Sequence, residues 1–240
     1  MALTYSSYVT SIANLMPSSG TASDSGLATV LPNAIDDAEQ RLYRELDLVN
    51  TSVRDNSAAL TAGVRNFTLP SSLGTFIVTD EINIITPAGT TNPESGTRNA
   101  LIPSSEEVLN MLWPSVAGSA VPQYFAIVNQ DLIIVGPWPN AAYQVEVVGT
   151  QRPAPLSASN STTILSVYFP DLFVAASMVF ISGYMKNFGA AVDDPKMAVT
   201  WESHYQTLLQ SAQTEEARKK FTGSGWSSRG QEPMATPPRT

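Results

Sequence analysis

Side chains able to do chemistry are few in this chain and widely spaced. There is one histidine, His204, three residues after Trp201 and one before Tyr205, and there is no cysteine. A histidine acting as general base or metal ligand needs a nucleophile beside it or further imidazoles, and thiolate sites need cysteine. His204 therefore reads as a helix-surface or interface residue, and no metal site is expected. Acids do cluster, as Asp36/Asp37/Glu39, Asp80/Glu81, Asp193/Asp194 and Glu215/Glu216. A glycosidase-type pair is defined by the separation of two carboxyl groups across a cleft, which adjacency in sequence does not establish. Asp36, Asp37, Asp193 and Asp194 read better as first-turn or capping residues at helix N-termini, and Glu215 and Glu216 as ion-pair partners of Arg218, Lys219 and Lys220. The chain has no GxGxxG, GxxxxGK or GxSxG motif, so neither a phosphate cradle nor a nucleophile elbow is expected. The reading is of no catalytic residue, no cofactor and no enzymatic activity, with a cell-wall hydrolase acting through two carboxylates as the enzymatic alternative.

The 240 residues are 43% hydrophobic, enough for a sizeable core, yet only 14% charged, against about 25% in an ordinary soluble domain. Few charges among many Ser, Thr, Ala, Asn and Pro suit surfaces that become buried in an assembly. The formal charge of −8 is uneven: residues 218–240 hold five Lys/Arg and one Glu, or +4, which leaves −12 on residues 1–217. An acidic body argues against gripping nucleic-acid phosphates over a broad surface, while a basic tail argues for an acidic docking partner. The start MALTYSSYVT lacks the basic and apolar regions of a signal peptide. The longest apolar run, LFVAASMVFISGYM from Leu172, falls short of the roughly 20 residues that span a bilayer and reads as a buried helix.

The elements that would position these residues follow from periodicity. Leu3, Tyr8, Ile12 and Leu15 predict a short first helix, and Ile35, Ala38, Leu42 and Leu46 a second that starts at Pro32. From Val64 to Arg152 the pattern becomes that of strands, in RNFTLP, TFIVTDEINII, YFAIV, DLIIVGP and AYQVEVVGT, interrupted by a short helix at SSEEVLNMLW where Ser104 and Glu107 have capping-box spacing. Two long helices follow, one from FPDLF to the region of Gly189, the other from Asp193–Pro195 with a stripe of Met197, Trp201, Tyr205, Leu208 and Ala212. The expected fold is α+β: a four-helix bundle-like core with an inserted antiparallel β lobe and an extended C-terminal tail. The expected divisions are residues 1–63, 64–152, 153–221 and 222–240. The loops PAGTTNPESGTRN and RPAPLSASNSTT are long enough to be interaction loops.

The aromatic residues are the remaining specific feature. Tyr43 lies beside the stripe of the second helix and Trp138 between Pro137 and Pro139, both places of ordinary packing, and with Arg44 they are candidate contacts to neighbouring subunits or the tail. In the C-terminal segment, too poor in apolar residues to order itself, Phe221, Trp226 and Met234 read as anchors for a partner and Arg218, Lys219, Lys220, Arg229 and Arg239 as steering charges.

The segment IDDAEQRLYREL, with Glu39, Arg41, Tyr43 and Arg44, is followed by YFAIVNQDLIIVGPWPNAAYQVEVVGTQRPAPL, whose exit carries Pro153 and Pro155, and then by FPDLFVAASMVFISGYMKNFG. In this order the features resemble the head-to-tail adaptor proteins of tailed, particularly short-tailed, bacteriophages, over about residues 31–212. The resemblance implies a helical bundle carrying a β lobe, assembled as a ring of twelve beneath the portal in the neck of the virion, with a C-terminal extension running up the portal. It implies as partners the portal ring, tail or nozzle proteins and further copies of the chain, with genomic DNA passing through the channel, no membrane, and synthesis in the host cytoplasm. A tail-tube or head-completion protein is the structural alternative.

Overall fold

The computed structural model describes residues 3–15, 25–184 and 197–223. In chain order these form α1 (Tyr5–Leu15), α2 (Ser25–Glu45), a 3-10 turn (Val49–Thr51), β1 (Ser52–Leu60), β2 (Asn66–Thr68), β3 (Thr75–Thr86), β4 (Thr97–Ala100), β5 (Ile102–Pro103), α3 (Glu106–Leu112), β6 (Tyr124–Ile127), β7 (Leu132–Gly136) and β8 (Tyr143–Arg152). The chain continues as α4 (Ile164–Tyr168), α5 (Pro170–Tyr184) and α6 (Met197–Gly223). The fold is α+β, in two compact units: residues 51–154 make one, and the described parts of 1–50 and 155–240 make the other.

The helical unit has five helices among its described residues, where sequence periodicity predicts four. The most apolar of them, α5, contacts α1, α2, α4 and α6. It buries Leu172, Phe173, Ala175, Ala176, Met178 and Ile181, so the long apolar run is a core helix. No helix among the described residues is long and apolar enough to cross a membrane. On α2 the expected stripe is buried and extends back to Leu31 and Ala34. The helix begins at Ser25, so Pro32 lies inside it and not at its start. A mid-helix proline removes a donor from the carbonyl four residues earlier, and here Pro32 and Ala28 are both exposed, where water can replace it. On α6, Tyr205, Leu209 and Ala212 are buried, with Trp201 and Leu208 packed beside them. Leu15, expected in the core, is exposed. Asp193–Pro195, and the expected stop at Gly189, lie outside the described residues.

The second unit is a sandwich of two four-stranded sheets, ordered β1-β8-β3-β4 and β2-β7-β6-β5. Tyr143, Val145 and Val147 point inward from β8, by the two-residue period of a strand, and meet Phe67, Phe125, Ile133 and Val135 of the other sheet. The five strands read from the sequence are present. The strand β1 lies in a stretch read as belonging to the helical part. Its sequence SVRDNSAAL is poor in β-branched residues, and its place comes from pairing along β8, with a bulge between Asp55 and Ala58. The lobe is not wholly antiparallel either, because β5 pairs with β6 in parallel. Parallel neighbours need a crossover, and α3 lies in that connection.

Two glycines are fixed by close approach in this unit. Two irregularities kink β3, between Phe76 and Val78 and between Thr79 and Glu81. Opposite the second, a Cβ on Gly149 would lie 2.2 Å from the Val78 carbonyl oxygen. Gly74 has φ +146°, and a Cβ there would meet the Arg152 carbonyl.

Candidate interaction surfaces

The polar residues gathered in the helical unit hold its own elements together. Arg41 forks onto Glu202, with Nη1 and Nη2 donating at 2.7 and 2.6 Å, while its Nε donates to Glu45 at 2.9 Å. The same guanidinium lies 4.1 Å from the Tyr205 ring centre, and the Tyr205 hydroxyl donates to Glu45 at 2.6 Å. The fork onto Glu202 raises the Arg41 pKa and lowers that of Glu202, and burial pushes Tyr205 up. The result is a clamp between α2 and α6.

Glu39 is the most unusual carboxylate among the described residues. Asp36 and Asp37, expected in the first turn of a helix, lie with Glu39 in the body of α2, and Glu39 is only 2% exposed. It accepts the Leu156 backbone N–H at 3.2 Å and the Thr163 hydroxyl at 3.2 Å. Burial pushes its pKa up to about 7, against the lowering effect of those two bonds and with a small upward contribution from Asp36. Thr163 also caps α4 in a capping box with Ser166. The Tyr5 N–H is donated to Ser161, and the Ser157 N–H to Asn160. The segment 155–163, read as an interaction loop, is thus anchored inside its unit. In the other predicted loop, Asn92 caps a 3-10 turn at Pro93–Ser95 and β4 follows at once.

In the sandwich Glu146 and Asp55 are buried carboxylates, and Glu146 stands on the face of β8 opposite the core. It accepts from Arg54 at 2.8 Å, from Arg98 at 3.1 and 3.2 Å, and from Asn83 at 3.3 Å. Arg98 also reaches Glu94, and these two carboxylates raise its pKa. This network ties β1, β3, β4 and β8 together. Asp80 and Glu81 are exposed on β3. His204 is exposed on α6, edge-on to Trp201 at 6.0 Å between ring centres. No group of three His, Asp or Glu side chains among the described residues is disposed to hold a metal ion.

The residues singled out for partner contact are dispersed. Arg218, Lys219 and Lys220 belong to the last turns of α6, so the segment after Ala217 begins as helix and stays so to Gly223. Lys219 pairs with Glu215 at 2.6 Å and Glu216 at 2.8 Å, the helical ion pairs that the spacing predicts, and Lys220 pairs with Asp47. Phe221 lies in the same helix, while Trp226, Arg229, Met234 and Arg239 lie outside the described residues. Tyr43 is half-buried against the helical core, and Arg44 is exposed with Nη2 donating to Gln40. Trp138 donates its Nε1–H to the Trp113 carbonyl at 2.9 Å beneath Arg65, which stacks 5.2 Å away. It supports the end of α3.

That helix carries the surface that sequence reasoning missed. Its N-cap is Ser105, not Ser104, accepting from the Val108 N–H, and the Glu107 carboxylate is held low by its own N–H and the Ser105 hydroxyl. Leu109 is buried against Ala126 and Ile134, with Trp113 and Tyr124 packed around them. Val108, Met111 and Leu112 are 39%, 73% and 54% exposed, and Val116 follows at 50%. The run VLNMLW signals more apolar side chains than one buried position needs.

The fold and these clusters define a two-unit α+β structural protein whose ionic groups bind its own elements together. The family model of the SU10 adaptor protein matches residues 3–229, and the chain belongs to that family of bacteriophage head-to-tail adaptors. The resemblance carried by the α2, β6–β8 and α5 segments is thus a membership that spans nearly the whole chain, and it makes the protein a structural component of a phage particle. No curated protein matches the chain.

Proposed function

We propose that this protein joins the portal of a phage head to the tail and does no covalent chemistry. Copies of the chain form a ring, twelve by the family resemblance, whose channel continues the path of the genome. The observation that carries this reading is the match of residues 3–229 to the adaptor family. The charge distribution supports it: a body of −12 leaves DNA unbound in transit, and a +4 segment at residues 218–240 seeks an acidic surface. Lys219 and Lys220 already carry ion pairs at the end of α6, so portal contact falls chiefly to Phe221, Trp226, Arg229, Met234 and Arg239. Tyr43, Arg44 and Trp138 are candidates for contacts to neighbouring copies or to the tail.

The test is binding to purified portal rings by the full chain and by a chain ending at Gly223, which leaves α6 whole. Saturation at about one copy per portal subunit, lost on truncation, is the expected result. Equal binding by both chains would remove residues 224–240 from the interface. Failure of both to bind would overturn the adaptor reading.

A further inference from the structure

The chain passes between its two units twice, at Asn50–Thr51 and at Ala154–Pro155. Neither passage is a long linker, because β1 starts at Ser52 and β8 ends at Arg152. Ser52 pairs with Thr150, so the two passages leave the sandwich side by side from neighbouring strands. On the helical side each is met by a buried carboxylate that accepts a backbone N–H. Glu39 takes that of Leu156, and Glu216, 5% exposed, takes that of Val49 at 2.9 Å. A carboxylate taken out of water is costly unless donors reach its oxygens, so in each case the acid and the N–H of the passage hold one another.

The two fastenings differ in what lies behind them. Glu39 stands in the body of α2, and its other partner, Thr163, belongs to the segment that it fastens. Glu216 stands near the end of α6, and Lys219 Nζ donates to its second oxygen at 2.8 Å while lying 5.0 Å from the Phe169 ring centre. The same stretch of α6 holds the approach to the first passage twice more: Gln213 donates to the Glu45 carbonyl at 3.4 Å, and Lys220 pairs with Asp47. Between Glu45 and β1 the chain's own regular structure is one 3-10 turn, Val49–Thr51. Leu46 and Leu48 seat that stretch in the core, but these polar holds on it come from a helix end, and helix ends are where a fold opens most readily.

We propose that the end of α6 is a latch on the first passage, and that a partner gripping the chain beyond Gly223 closes it, so that portal contact and the order of residues 46–51 are coupled. The coupling rests on the adaptor reading above. A partner that holds residues 224–240 opposes opening of the helix end to which they are joined, and thereby holds Glu216 and Lys220 against Val49 and Asp47. By linkage the reverse is also true: a chain that has lost the latch binds the portal more weakly by the same factor. Glu216 is a positioning residue in this scheme, buried and so withdrawn from direct contact with the partner.

Hydrogen exchange, followed by mass spectrometry on peptides that span residues 46–51, is the test, on the full chain alone and with purified portal rings in excess. The portal is expected to slow exchange there by about fivefold or more, and to leave residues 155–163, fastened by Glu39, unchanged. In Glu216→Ala, exchange at 46–51 is faster in the free chain and no longer responds to the portal, and the Kd for portal rings rises by about the factor seen in the wild type. Glu216→Gln keeps an acceptor for the Val49 N–H and recovers part of both effects, which keeps the test open should the alanine variant unfold. A bound wild-type chain whose residues 46–51 exchange at the free rate would overturn the coupling, and a folded Glu216→Ala chain with wild-type exchange there would overturn the latch. Slowing by the portal that survives Glu216→Ala would overturn the proposal too, by assigning residues 46–51 to direct contact. Failure of the wild-type chain to bind portal rings would instead overturn the proposed function itself.

Discussion

Glu39 shows how one residue can work against the stability of its own fold. Its carboxylate is buried, two neutral donors reach it, and its pKa rises from 4.5 to about 7. Between those values the folded chain binds more protons than the unfolded chain, so stability falls as pH rises. The favourable contribution is complete below about pH 4.5 and lost above about pH 7. A shift of this size corresponds to roughly 3 kcal/mol. Glu39→Gln keeps an acceptor for the Leu156 N–H and removes the ionisation. The variant is expected to be more stable than the parent at pH 8 by an amount approaching that figure, with the gap closing toward pH 5. Urea unfolding monitored by helical ellipticity at the two pH values checks it. Helical spacing puts Glu39 on the stripe of Ile35, Ala38, Leu42 and Leu46 and turns Asp36 and Asp37 away from it, but only tertiary packing brings the Leu156 N–H and the Thr163 hydroxyl to the buried carboxylate.

Among the elements, β3 and β8 show how a local constraint shapes a sheet. Gly149 lies opposite an irregularity in β3 that brings the Val78 carbonyl within 2.2 Å of where a Cβ would stand. Gly149→Ala must shift backbone, not a flexible side-chain end, and is expected to destabilise the sandwich by about 2–3 kcal/mol. Loss of near-ultraviolet ellipticity at lower denaturant is the measurement. A stability unchanged within 0.5 kcal/mol, the size of an ordinary surface substitution, would contradict the geometry. The strands rich in Val, Ile and aromatic residues were legible because their side chains choose the pleated backbone themselves. The edge strand β1 was not, since Ser52, Asp55, Asn56 and Ser57 take up that conformation only when β8 supplies the partner.

For the whole molecule, charge is the property that links sequence to assembly. The described part of the C-terminal basic segment is already partly neutralised by Glu215, Glu216 and Asp47. The full chain's affinity for portal rings is therefore expected to fall as added salt shortens the screening length below about 10 Å, but less steeply than five free cations would require. Titrations at several salt concentrations give the slope, and a salt-independent affinity would remove electrostatics from the interaction.

The sequence by itself determined the α+β class, the buried stripes of α2, α5 and α6, five of the strands, the ion pairs at Lys219 and the adaptor resemblance. Each of these depends on spacing or composition within a short stretch of chain. The tertiary structure alone decided that residues 155–163 are tied down by Glu39, that Glu146 is locked between Arg54 and Arg98, and that α3 bridges a parallel pair of strands while leaving Met111 and Leu112 in solvent. These outcomes join residues tens of positions apart, and no local preference specifies which distant group arrives to bury a charge or leave an apolar face open.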